Sequence, residues 1–533
     1  MTEEKTTDEG QKAGRGGLAV MGAKVFFILT GLVQQALLPR AIGTADYGAL
    51  SRVLAVSNVF NNVIVSSSTQ GVSRTVAAAG ASEREALRTT LRLHVVIAVL
   101  ATLLLVGAAP LVAYFQHANE VLAPLVVMGG VLAVYGVYAP LIGYLNGRRM
   151  FTRQASLDVA AATLRTLGLL GVGFFFVRGM QGLATSLSTS AGVLGATVGA
   201  TLAALGVFLL ALRWTGTGKA LTGARPDGVP DARRYIGLIV PVMVAQLFVN
   251  ALMQADIFLL GRYLSLAAAS NPLTPAGQLV DPAKAANEWV AVYRACQLFA
   301  FLPYQMLFSV TQVLFPMLAR AKAEEGDARV AELVARGSRL GAILCGLLVT
   351  IIVALPESLI KFAYGAELAA AGVSVLRVLA LGQAAFAMFG LATTILVSLG
   401  KERAAMALTA VALGLLVAAC ALLVPNAAFG KTQLVASATA VTCALGVALL
   451  GAVVAARRVA KAFIPLTTAI RVGVVIAGAW FAGLYIPTFG KLVTPIVAAV
   501  VGVGYVIALV VLRELKKDDL AFVLNVIRPK KKS

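Results

Sequence analysis

The stretch from Tyr47 to Ala79 reads YGALSRVLAVSNVFNNVIVSSSTQGVSRTVAAA, and the chain writes it a second time. The echo, Trp289 to Ala321, reads WVAVYRACQLFAFLPYQMLFSVTQVLFPMLARA. No gap is needed to align them. Arg52 falls on Arg294, Ser67 on Ser309, Thr69 and Gln70 on Thr311 and Gln312, and Ala77 on Ala319. Both copies are apolar for about 20 residues, the length that crosses a bilayer. Both carry an arginine about one and a half turns inside one end. A charge at that depth costs roughly 2.5–3.5 kcal/mol on insertion scales, so it faces protein or water and marks function.

Composition agrees with a membrane chain. Apolar residues make up 59% and charged residues 13%, and apolar runs of bilayer length recur from end to end. A transmembrane β-barrel would show short alternating segments instead. The net charge of +21 sits between the apolar runs, so it does not point to nucleic acid. Cys296, Cys345, Cys420 and Cys443 lie in apolar runs at no metal-ligand spacing and read as packing residues. The N-terminal MTEEKTTDEG is acidic and polar and predicts no cleavable signal peptide.

Fourteen spans are expected, at 18–42, 47–71, 90–113, 121–145, 155–177, 184–212, 235–262, 289–318, 338–360, 371–399, 404–424, 432–455, 464–486 and 492–512. Alternate connections are rich in Lys and Arg, from Arg74, Arg84 and Arg88 to Arg457, Arg458 and Lys461. The other set is poor in them, and its third-to-fourth connection has none. The positive-inside rule then predicts that both termini are cytoplasmic. Spans 1–6 and 7–12 both start inside, which makes them parallel repeats with a substrate site expected between them. The expected fold is therefore an all-α polytopic membrane protein. Two parallel six-helix repeats surround a central cavity, and two C-terminal helices follow. Its expected parts are an N-tail (1–17), an N-lobe (18–214), a cytoplasmic linker (215–232), a C-lobe (233–460), the last two spans (461–513) and a basic tail (514–533). The turn after span 1 is short, whereas the matching outer loop of the second half inserts SLAAASNPLTPAGQLVDPAKAANE, read as a tolerated insertion.

The candidate site residues are the polar groups inside spans. Arg52 and Arg294 lead, with Gln70 and Gln312 toward the other end of the same helices. Lys24 lies in span 1, Asn250 and Asp256 in span 7, and Arg377 in span 10. Such groups need partners or water in hydrocarbon. With cations many and buried carboxylates few, a cavity of this sign suits an anion, and the guanidinium fork matches phosphate oxygens. Asp256 is expected to hold an arginine when no substrate is bound. His94 and His117 lack metal-ligand or triad companions, and there is no P-loop. No cofactor is implied, and the coupling ion, if one is used, is not legible. The glycine-spaced run from Gly192 to Gly199 reads as close helix packing.

The paired six-span repeats, LLPRAIGTADYGALSR and STQGVSRTVA resemble the multidrug/oligosaccharidyl-lipid/polysaccharide exporter superfamily. The resemblance is nearest to its polysaccharide-synthesis flippase branch, with the turn Arg40-Ala41-Ile42-Gly43-Thr44-Ala45-Asp46-Tyr47-Gly48. It implies a bacterial inner-membrane flippase, not an enzyme, that carries polyprenyl-diphosphate-linked oligosaccharide by alternating access. Implied partners are that lipid-linked substrate, membrane lipids, and a polysaccharide polymerase and glycosyltransferases. Fourteen spans also resemble the lipid II flippase branch, although its arginine-rich first span is not kept: Lys24, Gln34 and Gln35 stand there. A cation-coupled drug exporter and a non-transporting scaffold of a polysaccharide-synthesis complex are the further alternatives.

Overall fold

The computed structural model describes residues 22–23, 25–79, 83–216, 232–270 and 281–515, with the side chains of 232, 309, 312 and 313 excepted. Every long regular element among them is a helix. In order these are α1 (Val25–Ile42), α2 (Thr44–Ala79), α3 (Glu83–Gln116), α4 (Leu122–Gly147), α5 (Phe151–Leu167), α6 (Gly173–Gly179), α7 (Gln181–Ser186), α8 (Ala191–Thr215) and α9 (Ala232–Ser270). They continue with α10 (Pro282–Ala300), α11 (Leu302–Glu324), α12 (Asp327–Ala354), α13 (Pro356–Tyr364), α14 (Ala366–Ser398), α15 (Glu402–Leu423), α16 (Lys431–Ala460), α17 (Leu466–Ala482) and α18 (Thr494–Val511). The chain is a multi-pass membrane protein.

Twelve helices among the described residues are long and apolar enough to cross a bilayer. The other two expected spans take different forms. The eighth is broken: α10 stops at Ala300 and α11 starts at Leu302, with Pro303 in its first turn. A proline lacks the N–H that a continuous helix needs and is at home in a first turn. The thirteenth, α17, has 17 residues. That is about 26 Å, short of the hydrocarbon thickness of about 30 Å.

The chain divides into two compact units between Ala291 and Val292. In the first, α2 packs on α4 and α9, α3 on α4, and α4 on α8. In the second, α14 packs on α16 and α11, α11 on α12, and α12 on α17 and α18. The units do not coincide with the sequence repeats. α9, the first helix of the second repeat, packs inside the first unit against α2 and α3, and most of the linker expected at 215–232 lies outside the described residues. The polar groups that α2 and α9 share, described below, give the reason.

Burial sorts the helices. In α2 and α14 some two-thirds to three-quarters of the most apolar window is buried (67% and 72%), against 17% in α3. The exposed face of α3 is Val96, Leu100, Leu103, Leu104 and Leu111, a surface suited to lipid. Close approach of α8 to the preceding segment depends on glycine. A Cβ on Gly199 would lie 2.0 Å from the Gly168 carbonyl oxygen, and one on Gly195 2.5 Å from the Phe176 Cβ. The glycine-spaced run is thus a packing face, as its spacing predicts.

Candidate functional site

Arg52 lies two turns into α2 and is fully buried. Its guanidinium nevertheless makes five hydrogen bonds to protein. Nε donates to Gln116 Oε1 at 2.8 Å, and Nη1 donates to Asn287 Oδ1 at 3.0 Å. Nη2 donates to the Gln116 carbonyl at 3.0 Å, the Gly261 carbonyl at 2.9 Å and Ser265 Oγ at 2.8 Å. The nearest carboxylate is Glu120, whose Oε1 is 3.6 Å from Nη1. Asn287 ties the two together, because its Nδ2 donates to the same Glu120 oxygen at 3.0 Å. Five hydrogen bonds therefore hold one guanidinium without water, three of them sharing the two N–H groups of Nη2. Of the two settings expected for a charge at that depth, Arg52 faces protein. The carboxylate beside it is Glu120. Contact between Arg52 and a ligand would require these bonds to break first.

The partners come from two places that sequence reasoning passed over. Gln116 and Glu120 flank the short connection between α3 and α4, the one with no cation of its own. An acid there, in a loop without a local counter-charge, was the available signal. Ser265 and Asn287 both belong to the insertion of the second repeat. That insertion is not merely tolerated length. Its first residues extend α9 to Ser270, its last ones open α10, and both ends serve Arg52. The approach is tight: a Cβ on Gly48 would lie 1.8 Å from the Asn287 carbonyl oxygen, and one on Gly261 2.8 Å from Arg52 Nε. Beside it, Arg262 of α9 donates to the Phe115 carbonyl and lies 4.1 Å over the Phe115 ring, which stacks on Phe258 at 5.5 Å.

Two further levels join α2 to α9 deeper in the membrane. Asn62 Nδ2 donates to Asn250 Oδ1 at 2.9 Å, and Asn250 Nδ2 donates to the Gln246 carbonyl at 2.8 Å. Toward the basic loops, His94 of α3 stands between Ser68 of α2 (3.1 Å to Nδ1) and Tyr235 of α9 (2.6 Å to Nε2). Such pairs hold helices together in a medium that offers no other partners.

The other candidates are dispersed. Asp256 is buried in α9, and its Oδ1 accepts the Ile257 amide at 2.8 Å. Arg377, on α14, caps helix ends: it donates to the carbonyls of Val353 at the end of α12 and Gly483 after α17. Those are the orphan carbonyls of helix C-termini, where a cation is favoured. Gln70 is exposed on α2. Arg294 is half-buried, and among the described residues its guanidinium makes one hydrogen bond, to Gln297 Oε1 at 3.1 Å. Lys24 and the Gln312 side chain lie outside the described residues. The duplicated arginines have thus diverged: one is locked into protein, the other keeps most of its donors. Among the described residues no group of His, Cys, Asp and Glu could hold a metal ion.

Comparison with known proteins adds to this geometry. A family model described as "Polysaccharide biosynthesis protein" matches residues 13–322. None of the curated proteins matches the chain significantly. Among solved structures, a lipid II flippase MurJ in an inward closed conformation superposes with a TM-score of 0.70 at 11% identity, covering 93% of this chain and 99% of that one. An inward-facing multidrug resistance MATE family transporter of the MOP superfamily gives 0.59 at 13% identity, covering 83% and 99%. A MATE protein in complex with Br-NRF gives 0.53 at 15% identity, covering 83% and 96%. At these identities the likeness is one of fold, and it is the fold of the superfamily that the sequence motifs resemble.

Proposed function

Because the chain belongs to the polysaccharide biosynthesis protein family and folds as the MOP transporters do, we propose that it is a flippase for polyprenyl-diphosphate-linked oligosaccharide. The observation that carries the reading is the family match laid over a helical transporter fold. The site works as a transporter and not as an enzyme. It sits in a bacterial inner membrane, and the alternation of basic loops supports cytoplasmic termini. The diphosphate is the anchor. Arg294, with donors to spare, takes its oxygens, and the glycan follows the head group while the polyprenyl tail stays in lipid. Gln70, Gln312, Asn250 and Lys24 are the further polar groups proposed along this route, and Asp256 and Arg377 set the charge around it. A polysaccharide polymerase and glycosyltransferases are the partners that this reading implies.

The test is reconstitution. Purified protein in liposomes moves a fluorescent undecaprenyl-diphosphate oligosaccharide to the far leaflet, read by its accessibility to an added lectin or glycosidase. No movement above protein-free liposomes removes the reading. A second reading, lipid II as the cargo, is favoured by one observation: the lipid II flippase superposes over 93% of the chain, whereas the MATE structures reach 83%. Lipid II offered in the same vesicles decides between the two cargoes.

A further inference from the structure

We propose that Arg52 is the latch of the outer gate: its network with Gln116, Glu120, Gly261, Ser265 and Asn287 holds the outer ends of α2 and α9 shut, and it comes apart each time that side opens. The proposal rests on the transport reading only in requiring that the protein cycle between closed and open outer ends. The network lies at the end of α2 away from the basic loops, which the positive-inside rule makes the outer end.

Its membership points to a gate. Arg52, Gln116 and Glu120 belong to the first sequence repeat, and Gly261, Ser265 and Asn287 to the second. Any motion that parts α2 from α9 at this end must break the Arg52 bonds to Gly261 and Ser265, and one that parts α2 from the start of α10 must break the bond to Asn287. Its chemistry points to reversibility. Beside the Arg262–Phe115–Phe258 stack, the Arg52 ties between the repeats are hydrogen bonds to groups that water can satisfy when the end opens, which keeps their net contribution modest. The closed form is also not perfect. Among the described residues Gln116 Nε2 is buried without a partner, a donor that gains one from water on opening. The insertion has no counterpart in the first repeat and brings both Ser265 and Asn287, so this latch exists on one side of the duplication only. Among the described residues Arg294, the duplicated position, makes one hydrogen bond, within its own helix turn.

The test measures the outer end directly. Spin labels are placed on Ser186→Cys and Ser270→Cys, both exposed positions, in a background with Cys443 replaced by serine; the other three cysteines are buried. Electron–electron distance distributions are recorded in liposomes. Arg52→Ala is expected to add a longer-distance population and to raise the open-to-closed ratio about tenfold or more, since several charge-assisted bonds are lost together. Asn287→Ala and Glu120→Gln are expected to move it the same way by less, and Arg52→Lys to fall between. Where Arg52→Ala does not yield folded protein, Asn287→Ala carries the test. A distribution identical to the unmutated protein in the variant that carries the test makes Arg52 a fixed brace and overturns the latch. Unchanged distances with weakened binding of undecaprenyl diphosphate make Arg52 a ligand contact and overturn it too. Widened distances in a protein that moves no lipid-linked oligosaccharide uphold the latch and remove the cargo reading instead.

Discussion

Glu514 gathers three helices onto one carboxylate. It follows α18 and is 3% exposed. Arg339 of α12 donates to Oε1 at 2.8 Å and Thr468 of α17 at 2.6 Å, while Arg471 of α17 donates to Oε2 at 2.9 Å. Burial pushes this carboxyl up, but the hydrogen bonds from Thr468, Arg339 and Arg471 outweigh it and hold it below its ordinary value. A folded-state value below the unfolded one of 4.5 means that the stabilisation is complete above 4.5 and is lost as the pH falls through the lower folded value. Glu514→Gln is therefore expected to melt at lower temperature than the unmutated protein at pH 7, with the gap closing as the pH falls below 4.5. A pH-independent gap would show that the charge is not what matters. Arg294 makes the opposite case, a cation with donors in hand. Losing a charge-assisted contact costs about 1.5–3 kcal/mol, roughly 10- to 150-fold in affinity. Arg294→Ala should weaken binding of undecaprenyl diphosphate by that factor with unchanged melting, and Arg294→Lys should recover only part, because it keeps the charge without the fork. Binding as tight as that of the unmutated protein would take Arg294 out of the site.

Helix contacts in this chain are set by what small residues allow. A side chain on Gly199 meets the backbone oxygen of Gly168, which cannot swing aside. Gly199→Leu should lower the melting temperature sharply or abolish recovery of folded protein, whereas Gly171→Ala, which meets nothing within 4 Å, should be tolerated. Equal melting of the two variants would mean that α8 does not depend on this contact. The broken eighth span is the other lesson at this scale. Its apolar run is long enough to cross the membrane as one helix, and periodicity reads it so. Pro303 interrupts the ladder, and α11 then continues into the polar turn around Glu324. The proline is visible in the sequence, but prolines also sit inside α3, α4 and α9 without ending them, so its position alone did not predict the break.

Topology belongs to the whole molecule. The alternation of basic loops predicts that the turn after α15 is outside and the turn before it inside. Asn426 and Glu402 are exposed at those turns. With Cys443 replaced by serine, Asn426→Cys should react with an impermeant maleimide in intact cells, and Glu402→Cys should react only after the membrane is opened. Labelling of Glu402→Cys in intact cells would overturn the orientation. The pairing of α9 with α2 and α3 likewise acts at this scale. A duplicated chain need not fold as two separate copies, because the first helix of the second repeat can satisfy its polar groups on the first.

The sequence by itself determined the class, the duplication, the packing role of the glycine-spaced run and the list of charged residues inside spans. Each of these follows from length, hydropathy and spacing, which are local properties of a chain in lipid. Only the tertiary structure decided what the matched arginines do. Arg52 and Arg294 occupy the same place in the repeat and are indistinguishable by sequence. One meets two side chains of an insertion, two backbone carbonyls and a glutamine from a distant turn; the other meets a neighbour on its own helix. Whether a buried charge is open to a ligand depends on acceptors brought from far along the chain, and no local pattern records which of them arrive.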